Sequence, residues 1–537
     1  MANETNNSIS IEEMAIFCKK KGFVYQNSEI YGGLSGFFDY GPLGVEVKNN
    51  IKAQWWKRFV KSRQDVVGID GTSISHQKVW EASGHVGCFA DLMLECQKCK
   101  ARHRADQLIE EELNIMVEGI SKEDVDKIIE QNNLKCPKCG FKSNKSESED
   151  NKGQKGSKGE KSSKGGNLSK AKEFNLMFKT FVGPIECENN VAYLRPETAQ
   201  QIFLNYKLIT ETARMQLPFG IAQIGRAYRN EISPRDFLFR TREFEQMELE
   251  YFIHPEEKEC SLLNKANKED NKDNKNDLDF EFQILTAEQQ ENKKTAHKKM
   301  KMKEMLKSNL MDEWHAYWMK EMYIWFIDLG IKPENLRLRE HTKNEKAHYS
   351  VACFDIEYKF PFGWKEIHGM ANRGSFDLEQ HQKHSKKSQE IFDEASKKKV
   401  LARVVEPSQG VDRAFLAFMF DAYTHEPKNK DRDWVVLKLH PKLAPVQIAI
   451  LPLVNKLNDK AKEVYNMLKD EFVCFYDKSG AIGRRYARAD EQGIPFCLTI
   501  DFETIEKDNS VTIRSRDSTK QERVKIEELC VKLRTIL

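Results

Sequence analysis

The chain has 537 residues, 39% hydrophobic and 31% charged, with a formal charge of +3. That length exceeds one hydrophobic core, so two or three domains with insertions are expected, and the near balance of charge means that a nucleic-acid partner must be held by local patches. No run approaches the roughly 20 apolar residues of a membrane span, the start MANETNNSISIEEMAIF lacks the features of a secretory or transit peptide, and twelve cysteines over this length are no disulfide framework. A cytoplasmic protein with reduced thiols and no membrane partner is expected.

Taken in chain order, Gly44 to Val60 reads as a helix, with Val47, Ile51, Trp55 and Phe59 at i, i+4 spacing. Asp65 to Ile69 follows as a short strand. Cys96-Gln-Lys-Cys99 and Cys136-Pro-Lys-Cys139 form two Cys-x-x-Cys pairs, and four thiolates close a tetrahedral structural zinc site. The alternative is a degenerate knuckle of reduced cysteines. The remaining cysteines read as small apolar residues. Residues 143–172 are biased to Lys, Ser and Gly and predict a disordered surface insertion, or more sharply an RNA-tethering tail.

Phe219 to Phe252 reads as a hairpin. Arg229 and Glu231 are two apart and would share one strand face, while Gln246, Glu248 and Glu250 oppose Met247, Leu249 and Tyr251. Arginine forks suit phosphate and carboxylates suit an ammonium; the plainer alternative is a solvated amphipathic hairpin. Asn264 to Asn276 opens a charged helical insertion reaching about Lys307. Glu313 to Leu329 is an aromatic-rich helix stopped by Gly330, and Phe354 to Phe376 contains strands. A buried strand, Val400 to Val405, leads through a turn at Glu406-Pro407-Ser408-Gln409-Gly410 into an apolar helix, Val411 to Tyr423. Arg413 in its first turn needs a partner, either an internal carboxylate such as Asp412 or Asp421 or a bound phosphate. After Asp433 strands and helices alternate as in a small α/β domain.

Arg229-Asn230-Glu231, Phe239-Arg240-Thr241-Arg242-Glu243-Phe244 and Gly410-Val411-Asp412-Arg413 resemble motifs two and three of the class II aminoacyl-tRNA synthetases. Within that class the chain is similar to the homodimeric glycyl-tRNA synthetase family. Tyr31 to Pro42, Trp80 to His85, Arg195-Pro196-Glu197-Thr198-Ala199, Glu406-Pro407-Ser408 and Ile482 to Arg488 match in order over nearly the whole chain. The resemblance implies an α+β fold: an antiparallel sheet flanked by helices, with a C-terminal α/β anticodon-binding domain. The implied layout is catalytic segments at 1–95, 173–253 and 321–432, a four-cysteine zinc knuckle at 96–140, a low-complexity insertion at 141–172, a charged helical insertion at 254–320 and the anticodon domain at 433–537.

The resemblance also implies ATP with Mg2+, glycine and tRNA(Gly) as ligands. Arg229, Glu231 and Arg413 would be catalytic. Together with Asn230, Phe239, Arg240, Thr241, Arg242, Glu243, Phe244, Glu366, Ile367, Gly410, Val411 and Asp412 they would bind ATP, Glu366 facing the magnesium. Arg104, Glu197, Phe244, Glu245, Gln246, Met247, Glu248, Glu406, Pro407, Ser408, Gln409 and Gly410 would bind glycine. Arg484, Arg485, Arg488 and Arg514 would bind tRNA; a basic face with internal pairs to Asp490 and Asp517 is the competing account. His85 and His368 read as structural hydrogen-bonders. Motif one usually ends its strand in a proline, absent from Asp70-Gly71-Thr72-Ser73-Ile74, so the homodimer rests on the family alone. Rival readings are a class II synthetase for threonine or proline, or a non-catalytic accessory subunit, expected to lack Arg229, Glu231 or Arg413.

Overall fold

The computed structural model describes residues 9–113, 115, 117, 120–140, 166–265, 276–343, 345, 350, 352–425 and 432–537. Nine strands build one sheet: β1 (Val66–Gly68), β2 (Phe219–Tyr228), β3 (Glu243–Ile253), β4 (Glu281–Leu285), β5 (Lys298–Lys301), β6 (Leu336–Glu340), β7 (Ala352–Phe360), β8 (Gly363–Gly374) and β9 (Arg403–Gly410). Their order is β5-β4-β6-β7-β8-β9-β3-β2-β1. The run from β6 to β2 is antiparallel, as expected, but β1 joins β2 and β4 joins β6 in parallel, so the whole sheet is mixed.

Helices cover both faces. Met247, Leu249, Tyr251 and Val405 pack into the main core with α1 (Pro42–Trp56), α3 (Glu313–Asp328) and α5 (Val411–Ala422). The stripe predicted for α1 is buried at Val47, Ile51 and Trp55. On the opposite face Ile221, Phe252 and Val404 meet α2 (Ala199–Ala213) and Leu378 of α4 (Phe376–Ser385). The hairpin is therefore not a wet amphipathic ribbon: Glu248 is 1% and Glu250 0% exposed.

Several boundaries depart from expectation. β2 ends at Tyr228, so Arg229 and Glu231 lie beyond the strand rather than along one of its faces. The turn holds Pro234, which has no N–H to give a ladder. The supposed turn at Glu406–Gly410 is strand: β9 runs from Arg403 to Gly410 and passes straight into α5 at Val411. Pro and Gly suggested a turn there, yet ladder pairing to β3 and β8 on both sides holds the segment extended. The charged helical insertion is also corrected. Residues 281–301 supply β4 and β5 to the sheet edge, with only short helices between and after them; alternation in Phe282, Ile284 and Met300 went unread beneath the lysines. Residues 266–275 of that stretch and 141–165 of the low-complexity segment lie outside the described residues. The end of the latter is built into structure, since Lys172–Asn175 pairs with Ala90–Glu95, which in turn pairs with Arg102–Arg104.

The C-terminal domain has strands β10 (Ile448–Pro452), β11 (Cys474–Tyr476), β12 (Phe496–Ile500), β13 (Ser510–Ser515) and β14 (Gln521–Lys525), in the order β11-β10-β12-β13-β14. Helices α6 (Asn458–Leu468), α7 (Ile482–Glu491) and α8 (Leu529–Ile536) accompany it. It begins later than expected: Leu437, Leu439 and Leu443 belong to the main core, and Val436–Leu437 pairs with Tyr423–Thr424.

Candidate active site

Arg229 and Arg413 open into one cleft of about 690 Å³, part of it solvent, lined also by Glu231, Phe239, Arg240, Thr241, Phe244, Gln246, Glu366, Ser408, Gly410 and Asp412. Arg229 follows β2 directly; its guanidinium lies between the Phe89 and Phe244 rings, 5.4 and 5.3 Å from their centroids, and donates to Pro196 O at 3.0 Å. Arg413, one turn into α5, lies 4.4 Å over the Phe239 ring and 2.8 Å from Glu366 Oε2. Its partner is thus neither Asp412 nor Asp421. Asp412 accepts from Tyr40, Lys48 and the Glu245 N–H, and Asp421 from Asn335. Glu231 is 8% exposed, and its Oε2 accepts no hydrogen bond although Arg240 Nη1 is 3.7 Å away.

Beneath the cleft lies an acidic layer. Pleating puts Glu248 and Glu250 of β3 on the same sheet face as Glu406 and Ser408 of β9. Glu248 accepts from Thr198 Oγ1 and, at 2.8 Å, from Ser408 Oγ. Arg373 on β8 is the guanidinium of this layer. It donates to Asp377 from Nε (2.7 Å) and Nη2 (3.0 Å), and from Nη1 to Glu406 at 2.7 Å. Glu197 lies 3.7 Å from Arg373 and 3.4 Å from His85 Nε2. Although burial opposes it, His85 and Arg373 hold the Glu197 carboxyl well below the ordinary range. Burial, followed by Glu197, pushes Glu248 upward, and burial raises Glu406 well above the usual value. So many buried carboxylates around one guanidinium invite a cation.

The pleat also separates residues expected in one pocket. Met247 and Ile367 are in the main core on the opposite face, and pairing across β3, β8 and β9 puts Gln409 with them, opposite Met247 and His368. Pro407 alternates to the same side between Glu406 and Ser408. Glu245 faces away too and is held by Lys48 and Lys52, each at 3.0 Å. Arg104 pairs with Asp91 and Asp106 at 3.2 and 2.8 Å on the knuckle side and does not line the cleft. Arg242 is spent on Glu231 O and Ser35 O, and Glu243 pairs with Arg226. Asn230 donates its backbone N–H to Leu176 O, and Val411 is in the core. Phe89, Arg373 and Asp377 were not anticipated, Glu250 was read on the carboxylate face of the hairpin but given no site role, and His85, expected to be structural, borders the acidic layer.

In the knuckle the sulfurs of Cys96 and Cys139 are 3.7 Å apart and those of Cys99 and Cys136 3.6 Å. All four fall within 4.8 Å of one another. A tetrahedron of sulfurs about 2.3 Å from zinc has edges of about 3.8 Å, so the donor set fits that ion. Gly166, from the far end of the low-complexity stretch, donates its N–H to Cys139 Sγ at 3.2 Å. A Cβ there would come within 2.6 Å of Cys96 Sγ.

Among the four arginines expected to meet RNA, two are internal. Arg485 is 3% exposed and donates to Pro452 O and Asp477 O. Arg514 is bidentate on the buried Asp490, both contacts at 2.9 Å. Arg488 pairs with Asp477 at its exposed edge, and Arg484 stays exposed on α7.

Residues 184–414 match the model of the tRNA synthetase class II core domain (G, H, P, S and T), and residues 447–536 match the anticodon binding domain. A prolyl-tRNA synthetase from Cryptosporidium parvum, solved with halofuginone and AMPPNP, superposes over 98% of this chain and 76% of its own with a TM-score of 0.55 at 15% identity; it shares the fold. Fold and cleft thus define a class II aminoacyl-tRNA synthetase. Glycine–tRNA ligases of Acetivibrio thermocellus and Caldanaerobacter subterraneus are 43% and 42% identical over 97% of both chains, and that of Geobacillus thermodenitrificans is 42% identical over 98%. The chain belongs to the glycine–tRNA ligase family.

Proposed function

We propose that this chain activates glycine with ATP and transfers it to the 3′ end of tRNA(Gly), using the cleft and the acidic layer below it. The observation that carries this is the convergence of Arg229 and Arg413, from distant parts of the chain, on one cleft that Ser408, the hydrogen-bond partner of Glu248, also lines. Arg229 holds the α-phosphate, clamped between two rings so that it does not reorganise as charge develops. Arg413 meets the γ-phosphate, and Glu366 holds the magnesium when that ion is bound, the ion adding charge neutralisation. Glu231, with its unused Oε2, accepts from the adenine amine. The glycine carboxylate is already ionised, so attack on the α-phosphorus needs positioning and neutralisation rather than a general base. The tRNA terminal hydroxyl then takes the glycyl group.

Glu197, Glu248, Glu406 and Ser408 receive the ammonium. Ser408 lines the cleft, but the lining stops short of these three carboxylates, and rejection of larger amino acids by overlap is far stronger than the ~1–3 kcal/mol gained per methylene. ATP–pyrophosphate exchange tests the reading. Glycine supports exchange and Glu406→Ala abolishes it; exchange with threonine or proline but not glycine overturns it.

The finer assignments have support of their own. A structural zinc on Cys96, Cys99, Cys136 and Cys139 is supported by the sulfur spacings. The tRNA is read through the C-terminal domain, Arg484 being the exposed arginine of the expected set. A homodimer is the family reading, and the adjacent Ile30 and Tyr31, 88% and 87% exposed, are apolar side chains that a second copy could cover. Light scattering at micromolar concentration distinguishes two copies from one. The cytosol is the compartment in which all twelve cysteines stay free; no helix among the described residues is long and apolar enough to cross a membrane.

A further inference from the structure

Glu250 lies under the ammonium niche, and none of the roles above uses it. Its position follows from register: Gln246 pairs with Gly410, Glu248 with Ser408 and Tyr251 with Val405, so Glu250 is directly opposite Glu406. Opposed residues hold their Cβ atoms about 4.5–5.5 Å apart, and carboxylate oxygens of Glu248, Glu250 and Glu406 lie within 4.8 Å of one another. Glu250 is 0% exposed, and neither of its oxygens accepts a hydrogen bond. The neighbouring acids all have donors. Arg373 serves Glu406 and Asp377, Thr198 and Ser408 serve Glu248, and Gln200 serves Glu197. From β2 the residue facing Glu250 is Ile221, which brings no charge.

An ionised carboxylate in that place would be buried with no donor beside another carboxylate, and both costs are large. A neutral acid has an O–H to give; of the two carboxylates within 4.8 Å, Glu406 is the one directly across the strand pair, while Glu248 lies on Glu250's own strand. We propose that Glu250 is a permanently neutral carboxylic acid whose O–H donates to the Glu406 carboxylate, fixing that carboxylate so that it presents an oxygen to the substrate ammonium. The two acids then share one proton, and geometry places it on Glu250 because Glu406 alone has the Arg373 guanidinium. Burial, and then Glu406, push the Glu250 carboxyl well above the ordinary range; Glu248 and Asp377 add to this and Arg373 opposes it. Glu250 is a positioning residue in this account, which rests on the reading of the niche as the glycine site.

Glu250→Gln keeps the shape and a donor but has no proton to lose. In the unfolded wild type Glu250 ionises near its ordinary value while the folded form stays neutral, so the unfolded state binds fewer protons. Wild-type stability therefore falls as pH rises through that interval, and E250Q escapes the loss. The Tm of E250Q minus that of wild type becomes more positive between about pH 5 and about pH 8. A protonated-carboxyl C=O stretch in the wild-type infrared spectrum at neutral pH disappears in E250Q. The glycine KM rises no more than about threefold in E250Q but at least about tenfold in E250D, which withdraws the group from Glu406 and loses a charge-assisted bond.

The proposal is overturned if E250Q loses stability relative to wild type by an amount growing with pH, if no carboxyl band is lost, or if E250Q does not fold. A neutral amide of the same shape satisfies every contact claimed. Failure of wild-type glycine activation would instead sink the niche reading, leaving the Tm and infrared results to decide the state of Glu250.

Discussion

Arg413 touches the site through contacts that no other side chain reproduces together. Its guanidinium plane covers Phe239, Nη1 pairs with Glu366, and Nε donates to Phe239 O at 3.2 Å. Lysine carries one point charge and no plane to stack. In Arg413→Lys, single-turnover formation of glycyl-adenylate should fall by about a hundredfold, the cost of removing one preorganised donor from a charge-stabilising site; a loss below about threefold would take Arg413 out of the chemistry. Side-chain chemistry at this scale was partly legible. Arg229 and Glu231 stood out as an arginine and an acid read on one strand face, and Arg413 as a cation in the first turn of an apolar helix, but their roles came from the resemblance to the class II motifs. Glu250 did not, because alternation presents Gln246, Glu248 and Glu250 as equals and nothing local says which is sealed from water. Arg373 escaped for a related reason. Its importance comes from Asp377 and Glu406, and Glu406 is brought to it only by the β8–β9 pairing.

Two elements owe their placement to single atoms. Arg195 is 2% exposed and joins Gly71 O, the Gln223 side chain and Arg226 O, so it pins the start of the motif-two hairpin to the segment after β1. Gly225 leaves it room: a Cβ there would fall 2.1 Å from Arg195 Nη2. Gly225→Ala should lower the Tm by several degrees through displacement of that buried cation, at a cost of about 1–3 kcal/mol of overpacking strain; an unchanged Tm would show that Arg195 has another place to go. The knuckle presses on the same hairpin, since Ser233 Oγ donates to Arg102 O and Arg235 pairs with Glu111. Cys99→Ser should drop bound zinc below one per chain and speed amide exchange in residues 120–140 and 229–240 together. Loss of zinc with exchange unchanged at 229–240 would make the knuckle a bystander. Element types were readable wherever the apolar period was strong, as in α1 and α3. They were misread where composition hid it: β4 and β5 behind lysines, and β9 behind a proline and glycine.

At the scale of the molecule, the C-terminal domain is locked to the core through Asp490. This residue is 0% exposed and receives Arg514, Arg432 and Trp434 Nε1. Breaking a buried pair by removing one partner costs about 3–5 kcal/mol, so Arg514→Ala should unfold this domain at lower temperature. Arg484→Glu, on the exposed side of α7, should raise the tRNA KM while ATP–pyrophosphate exchange with glycine proceeds as in wild type. An Arg484 variant with unaltered tRNA KM would move the RNA surface elsewhere on the domain. The order of domains was legible because helix and strand periods change after the apolar helix α5. Their boundary was not, since Leu437, Leu439 and Leu443 look like the start of a new core but are buried in the old one.

The absence of any linker between β9 and α5 has a mechanical outcome. Glu406, Ser408 and Arg413 ride on a single stiff rail, so the amino-acid seat and the cation for the far end of the triphosphate are spaced like marks on a ruler. Neither backbone position can swing without the other, so the distance between seat and cation is set before any reactant arrives.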